Sequence, residues 1–261
     1  MQLRRALASV LALALPILYA IAQYEGVLSN QSADIAFILF TGSCTILAFV
    51  IVKKVGTDGR LGFMHVGIFT CMLLIFLGFV TDGIYAIMLR AATPIPSVAD
   101  ALNFLGYASA AVAGLQFLLC FRAAFGQWQY KLVPVLGVLV ACPHLILSHI
   151  IVATQMPLIV EATWLAYPIL DGILVVLAVT MFLLFRGGIV SSSWLWLAIG
   201  MLLITVADIA AGVGNIQGLS QLLQPFYLFY FWGYICLGLG FSMMPGLERL
   251  ENFMEQDSGG L

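Results

Sequence analysis

The sequence predicts an all-α, polytopic membrane helix bundle of about eight transmembrane helices, and three observations point there. Hydrophobic residues make up 63% of the 261-residue chain and charged residues only 8%, against about 25% charged in a soluble domain. The apolar residues run in continuous stretches, each close to the ~20 residues one helix needs to cross a bilayer. If the stretches alternate in direction, nearly all Lys and Arg residues fall on one side, as the positive-inside rule requires of short cytoplasmic loops. A water-soluble fold of this length has too little interior for that much apolar surface. A membrane β-barrel needs segments of ~10 alternating residues, and these runs are twice as long and unbroken.

Taken in order, the spans read 6–22, 33–52, 61–86, 101–121, 132–154, 166–185, 190–212 and 226–244. The first follows Arg4-Arg5 and ends in Ala20-Ile21-Ala22. It is read as a retained helix, because the apolar run exceeds that of a usual signal peptide; cleavage would leave seven helices and an outside N-terminus. The second leaves the membrane at Lys53-Lys54 and is parted from the third by Gly56-Thr57-Asp58-Gly59. Thr93-Pro94-Ile95-Pro96 separates the third from the fourth, where Asp100 stands ready as a cap. Span four carries Gly106, Ala110 and Gly114 at four-residue spacing, with Ala113 beside them, and span eight carries Gly233 and Gly240; small residues so placed let helices approach closely. Gly126, Pro157, Gly187-Gly188 and the stretch from Gly214 to Pro225 mark the remaining breaks. Ser191-Ser192-Ser193 reads as a polar helix start. Residues 1–245 form a single transmembrane domain and 246–261 a short cytoplasmic tail, with Leu247, Leu250, Phe253 and Met254 at helical spacing.

With the N-terminus inside, Arg4, Arg5, Lys53, Lys54, Arg60, Arg122, Lys131, Arg186 and Arg249 lie in the cytoplasm, and only Arg90 lies outside. Both termini are then cytoplasmic and the chain is a multi-pass protein of the cell membrane, with the lipid bilayer as its first partner. The net charge of −2 says nothing about nucleic acid, but there is no basic patch to bind it, so no nucleic-acid partner is expected. The five cysteines, Cys44, Cys71, Cys120, Cys142 and Cys236, all fall in apolar runs without a CxxC and read as small buried hydrophobes.

Most of the acids take the opposite side. Glu25, Asp34, Asp82, Asp100, Glu161, Asp171 and Asp208 fall in outer loops or the outer part of a helix. Asp82, Asp171 and Asp208 are the informative ones, since a charge within a span costs about 2.5–3.5 kcal/mol on insertion scales. Helix capping accounts for one such residue; three on one side point to a shared polar cavity. Tyr85 follows Asp82 by three and Tyr167 precedes Asp171 by four, so each pair shares a helix face. Asn103 and Tyr107 follow Asp100 on one face. Tyr227, Tyr230, Trp232 and Tyr234 crowd span eight, Tyr227 reading as a membrane-interface residue. The candidate ligand-binding set is Asp82, Tyr85, Asp100, Asn103, Tyr107, Tyr167, Asp171, Asp208 and Trp232. No catalytic set, cofactor or metal is expected. His144 and His149 are five apart, about 140° around a helix, and HExxH is absent; His65 reads as structural. The last spans carry no Lys for a Schiff base, and GxSxG, GxGxxG and the P-loop are missing.

Four segments in order carry a resemblance: Pro94-Ile95-Pro96-Ser97-Val98-Ala99-Asp100 leading to Tyr107; Ala166-Tyr167-Pro168-Ile169-Leu170-Asp171; Ala207-Asp208; and Trp232-Gly233-Tyr234 with Leu237-Gly238. Over about residues 80–245 the chain resembles the N-terminal multi-helix membrane sensory region of prokaryotic signalling proteins, notably membrane-bound diguanylate cyclases and histidine kinases. That family follows its membrane region with a cytoplasmic output domain, which this sequence does not carry. It often places an acid shortly before the Trp of the last span, where Gln224-Pro225 and aromatics stand here. The resemblance implies a stand-alone sensory or ligand-binding module that takes a small polar or cationic ligand and signals to a separate cytoplasmic partner. Two other readings stay open. An intramembrane lipid hydrolase needs Asp82 and Asp208 close to each other or to His149. A small-solute or proton-coupled transporter expects polar groups through the whole membrane depth, and the inner half is nearly free of them.

Overall fold

The computed structural model describes residues 30–120, 157–188, 190–217 and 226–244. The expected spans 6–22 and 132–154, the tail 246–261, and with them His144, His149 and Glu25, lie outside the described residues. Within these, the secondary structure is helical and five helices are long and apolar enough to cross a membrane.

Helix α1 runs Asn30–Val55, α2 Gly59–Gly83, α3 Val98–Cys120, α4 Leu158–Leu184, α5 Ser191–Gln217 and α6 Tyr227–Met243. Each overlaps an expected span, and each end has a local cause. Gly56 adopts φ +84° and donates its N–H to the Val52 carbonyl at 2.9 Å, the left-handed stop that glycine makes without steric cost. Lys53 and Lys54 occupy the last turn of α1, where positive charge complements the helix dipole. Helix α4 starts eight residues before the expected 166, because Glu161 in its first turn suits the positive helix start and lets the helix extend beyond its apolar run. Helix α2 continues into a π-helical turn, Ile84–Met88, closed by the Leu89 N–H on the Ile84 carbonyl at 3.1 Å.

The six helices close into a ring in which α1 packs on α2, α2 on α3, α3 on α4, α4 on α5, α5 on α6, and α6 back on α1. Two close crossings set its girth. At one, a Cβ on Gly200 would lie 2.8 Å from the Gly233 carbonyl oxygen, and one on Gly233 would lie 3.0 Å from that of Gly200, so α5 and α6 meet backbone to backbone. At the other, Gly67 of α2 faces Ala113 of α3, and the Ser109 hydroxyl donates to the Gly67 carbonyl at 3.0 Å.

The interior is layered. Toward the end where Gly59 and Ser191 start their helices, Met64, Cys71, Met72, Met181, Trp194, Leu197, Leu237 and Phe241 pack as an apolar layer. Above it Phe37 stacks between Phe79 (5.3 Å) and Phe231 (4.7 Å). The outside is apolar too. Leu105, Val112 and Leu119 recur every seven residues along α3, each about 60% exposed. In water such a stripe is an aggregation liability; against lipid it is the expected outer surface of a bundle.

His65 is buried, with Nδ1 on the Leu61 carbonyl at 2.8 Å, in keeping with a structural role. Cys44, Cys71 and Cys236 are free and buried.

Candidate acidic cavity

The ring leaves a cavity of about 400 Å³ at the end where α1, α3 and α4 begin. Four carboxyl groups line it, Asp34 from α1, Asp82 from α2, Asp100 from α3 and Asp208 from α5. Among the described lining residues there is no Lys, Arg or His.

The rim is built from a helix start. Ser97 and Asp100 form a capping box at the start of α3. The Ser97 N–H and hydroxyl both donate to Asp100 Oδ2, at 2.7 and 2.8 Å, and the Asp100 N–H donates to Ser97 Oγ at 3.2 Å. This satisfies otherwise orphaned N–H groups of the first turn. The second carboxylate oxygen looks into the ring, where the Tyr167 hydroxyl of α4 donates to Asp100 Oδ1 at 2.7 Å. The same hydroxyl accepts from Asn103 Nδ2 at 3.2 Å. Asp100 is therefore both cap and wall. Asp82 stands within electrostatic range of Asp100 and Asp34, beside Thr93.

The floor lies deeper. Asp208 accepts a short hydrogen bond from the Tyr230 hydroxyl of α6. Asp171 sits one turn beyond Tyr167 in α4, just past Pro168, a proline inside the helix whose missing N–H removes a backbone bond there. Its neighbours are Asp208 and Tyr107. Asp171 has no solvent exposure, and neither of its carboxylate oxygens has a hydrogen-bond partner. A buried polar group left in that state is costly, and a proton shared with Asp208 or a positive group joining the pair would offset that cost.

Of the nine expected ligand-binding residues, the cavity brings together Asp82, Asp100, Asn103, Tyr107, Tyr167 and Asp208, with Asp171 directly behind Asp208. Tyr85 and Trp232 do not line it. Tyr85 falls in the π-helical turn, whose wider winding moves the residue facing Asp82's neighbourhood on by one, and Ala86 lines the cavity instead. Trp232 points away from Tyr230 and Tyr234, two residues from each and so about 200° around the helix; it meets Phe229 edge-on at 6.0 Å.

Six further residues with polar side-chain atoms line it from outside that set: Asp34, Thr93, Ser97, Trp164, Tyr230 and Tyr234. A helical-face signal marks three of them. Tyr230 and Tyr234 are four apart, and Trp164 precedes Tyr167 by three. Thr93 and Ser97 belong to a loop, where periodicity carries no information.

No protein-family model, no curated protein and no solved structure matches this chain. The chemistry of the cavity therefore rests on its own geometry. Carboxylates, phenols and aromatic faces line it, with no basic side chain among its described lining residues. Among the described residues no group of three or more His, Cys, Asp or Glu is arranged to hold a metal ion.

Proposed function

We propose that the chain is a membrane-embedded binding protein for a small organic cation, acting as a sensor. The observation that carries this reading is the set of four carboxyl groups around one cavity of about 400 Å³ with no basic side chain among its described lining residues. An ammonium 4 Å from a carboxylate gains about 4 kcal/mol at an effective dielectric of 20. Phe37, Phe79 and the lining tyrosines add aromatic faces, which attract a desolvated cation by about 2 kcal/mol each in favourable geometry.

In this reading the chain crosses the cell membrane about eight times with both termini in the cytoplasm, and the cavity opens outward. The sensing step follows from one bond. Tyr230 ties α6 to Asp208, and α6 leads to the residues 246–261 on which a cytoplasmic signalling partner would act. A cation that takes up Asp208 competes with Tyr230 and shifts the balance between two positions of α6. A ligand moves such an equilibrium only by its differential affinity for the two states.

The hydrolase reading asks Asp82 and Asp208 to act together or with His149, which lies outside the described residues. Asp82 instead interacts with Thr93, Asp100 and Asp34 at the rim, while Asp208 pairs with Tyr230 and Asp171 at the floor.

The test is a thermal-unfolding titration of the purified protein in detergent. Butylammonium and choline chlorides should raise the unfolding temperature saturably, while sodium butyrate at equal ionic strength should not. Asp208→Asn keeps an oxygen for Tyr230 but removes the charge, and with Asp171→Asn it should weaken cation binding about tenfold or more while leaving membrane insertion intact. Equal shifts from cation and anion, or unaltered binding in both variants, would sink the reading.

A further inference from the structure

The acids of the cavity occupy two levels. Asp34, Asp82 and Asp100 form the rim, with Asp82 within electrostatic range of the other two. Asp208 and Asp171 form the floor. Helix geometry gives the separation. Tyr167 reaches Asp100, and Asp171 lies four residues further along α4, about 6 Å at 1.5 Å per residue. On α3, Tyr107 neighbours Asp171 and Asp208 and lies seven residues beyond Asp100, about 10 Å. The lining also carries apolar and aromatic side chains, among them Phe79, about one turn deeper than Asp82 on α2.

We infer that the ligand carries two positive charges joined by an apolar chain: a linear α,ω-diamine, with one ammonium at the rim and the other at the floor. The inference deepens the cation-binding reading and rests on it. The independent observation is Asp171, fully buried with both oxygens unpartnered; a single ammonium held at the rim would leave that carboxyl as it is. A deep ammonium beside Asp208 supplies the missing positive partner, and its methylenes replace water along the aromatic wall. With C–C bonds of about 1.5 Å at tetrahedral angles, an extended chain of about four to six methylenes sets its two ammonium groups about 6–9 Å apart. A shorter diamine cannot reach both levels, and a longer one must buckle or leave one end in solvent.

The two charges act as linked binding modules, and linkage rewards only the length that lets both engage together. The experiment is calorimetric titration of the full-length protein in detergent with diaminoethane, diaminobutane, diaminopentane, diaminohexane and diaminooctane, and with butylamine and hexylamine. Affinity should peak in the butane-to-hexane range, at least about tenfold above the monoamine of equal length. Asp82→Asn and Asp208→Asn should each bring the best diamine toward the monoamine level, one from each end. Monoamines binding as tightly as diamines, or affinity rising steadily with chain length, would overturn the two-level site and leave the cation-binding reading standing. Binding of none of these amines by wild-type protein of unaltered thermal stability would overturn both.

Discussion

Tyr167 holds the rim of the cavity together with one oxygen. Its hydroxyl donates to Asp100 and accepts from Asn103, so α3 and α4 are joined by a polar chain at a level where both helices otherwise present apolar side chains. Tyr167→Phe keeps the ring and its contact with Phe104, 4.9 Å between centroids, while stranding Asp100 Oδ1 and Asn103 Nδ2. Asn103 Oδ1 is already buried without a partner. The substitution should therefore destabilise the fold by about 1–3 kcal/mol, read as a lowered midpoint of equilibrium unfolding in mixed detergent. A change under about 0.3 kcal/mol would mean that water replaces the hydroxyl and that the rim is open to solvent. At this scale the sequence is informative about chemistry and less so about direction. An aspartate inside an apolar run announces itself, because its cost in lipid demands a reason. Which of several crowded aromatics faces it depends on helix phase, and Tyr230 and Tyr234 share the phase that Trp232 lacks.

Helix packing shows how close backbones come, and glycine is where that can be tested. Gly200 and Gly233 sit where α5 and α6 touch, and a methyl group on either meets backbone oxygen at 2.8 or 3.0 Å. Backbone cannot give way as a side chain can. Gly233→Ala should push the helices apart and cost about 1–3 kcal/mol. Gly238, on the same helix, is the control: a Cβ there meets Leu47 Cδ1 at 3.5 Å and Cys44 Sγ at 3.9 Å, ordinary contacts. Gly238→Ala should be neutral or stabilise by up to about 1 kcal/mol, because alanine loses less backbone entropy in a helix. If both variants unfold alike, the α5–α6 crossing is not as close as described. The helices themselves were legible from continuous apolar runs bounded by Gly and Pro. The start of α4 was not, since Glu161 is polar and hydropathy alone ends the span there. The π-helical turn after Gly83 was not legible either, because nothing in Ile84-Tyr85-Ala86-Ile87-Met88 departs from an ordinary helix pattern. Such a turn depends on neighbours in space, and it decides that Ala86 rather than Tyr85 lines the cavity.

At the scale of the whole molecule, the charges of the described residues are largely segregated along the helix axes, Asp58 and Arg90 being exceptions. Lys53, Lys54, Arg60 and Arg186 lie at the end where α1 and α4 finish, whereas Asp34, Asp82 and Asp100 lie at the other, with Arg90 beside them. The apolar segment Gly59–Met88 is 30 residues long, about 45 Å at 1.5 Å per residue, more than the ~30 Å of a bilayer's hydrocarbon. The loops on either side of it must then emerge on opposite faces. An epitope tag inserted after Thr57 and a second after Ala92 report the two faces separately. In intact cells or spheroplasts an externally added protease should cut at the Ala92 tag and spare the Thr57 tag; after permeabilisation it should cut both. Cleavage of both tags in intact cells would rule out α2 as a membrane span, and with it the lipid-facing stripe of Leu105, Val112 and Leu119. Cleavage at Thr57 alone would preserve the bundle but invert it, turning the acidic cavity toward the cytoplasm. That result would keep the ring, the capping box and the two acidic levels, yet move the ligand to the cell interior and place the residues 246–261 outside, where no cytoplasmic partner could read them. Orientation thus decides between the proposed receptor for external cations and a binder of internal ones, and the positive-inside rule predicts the former.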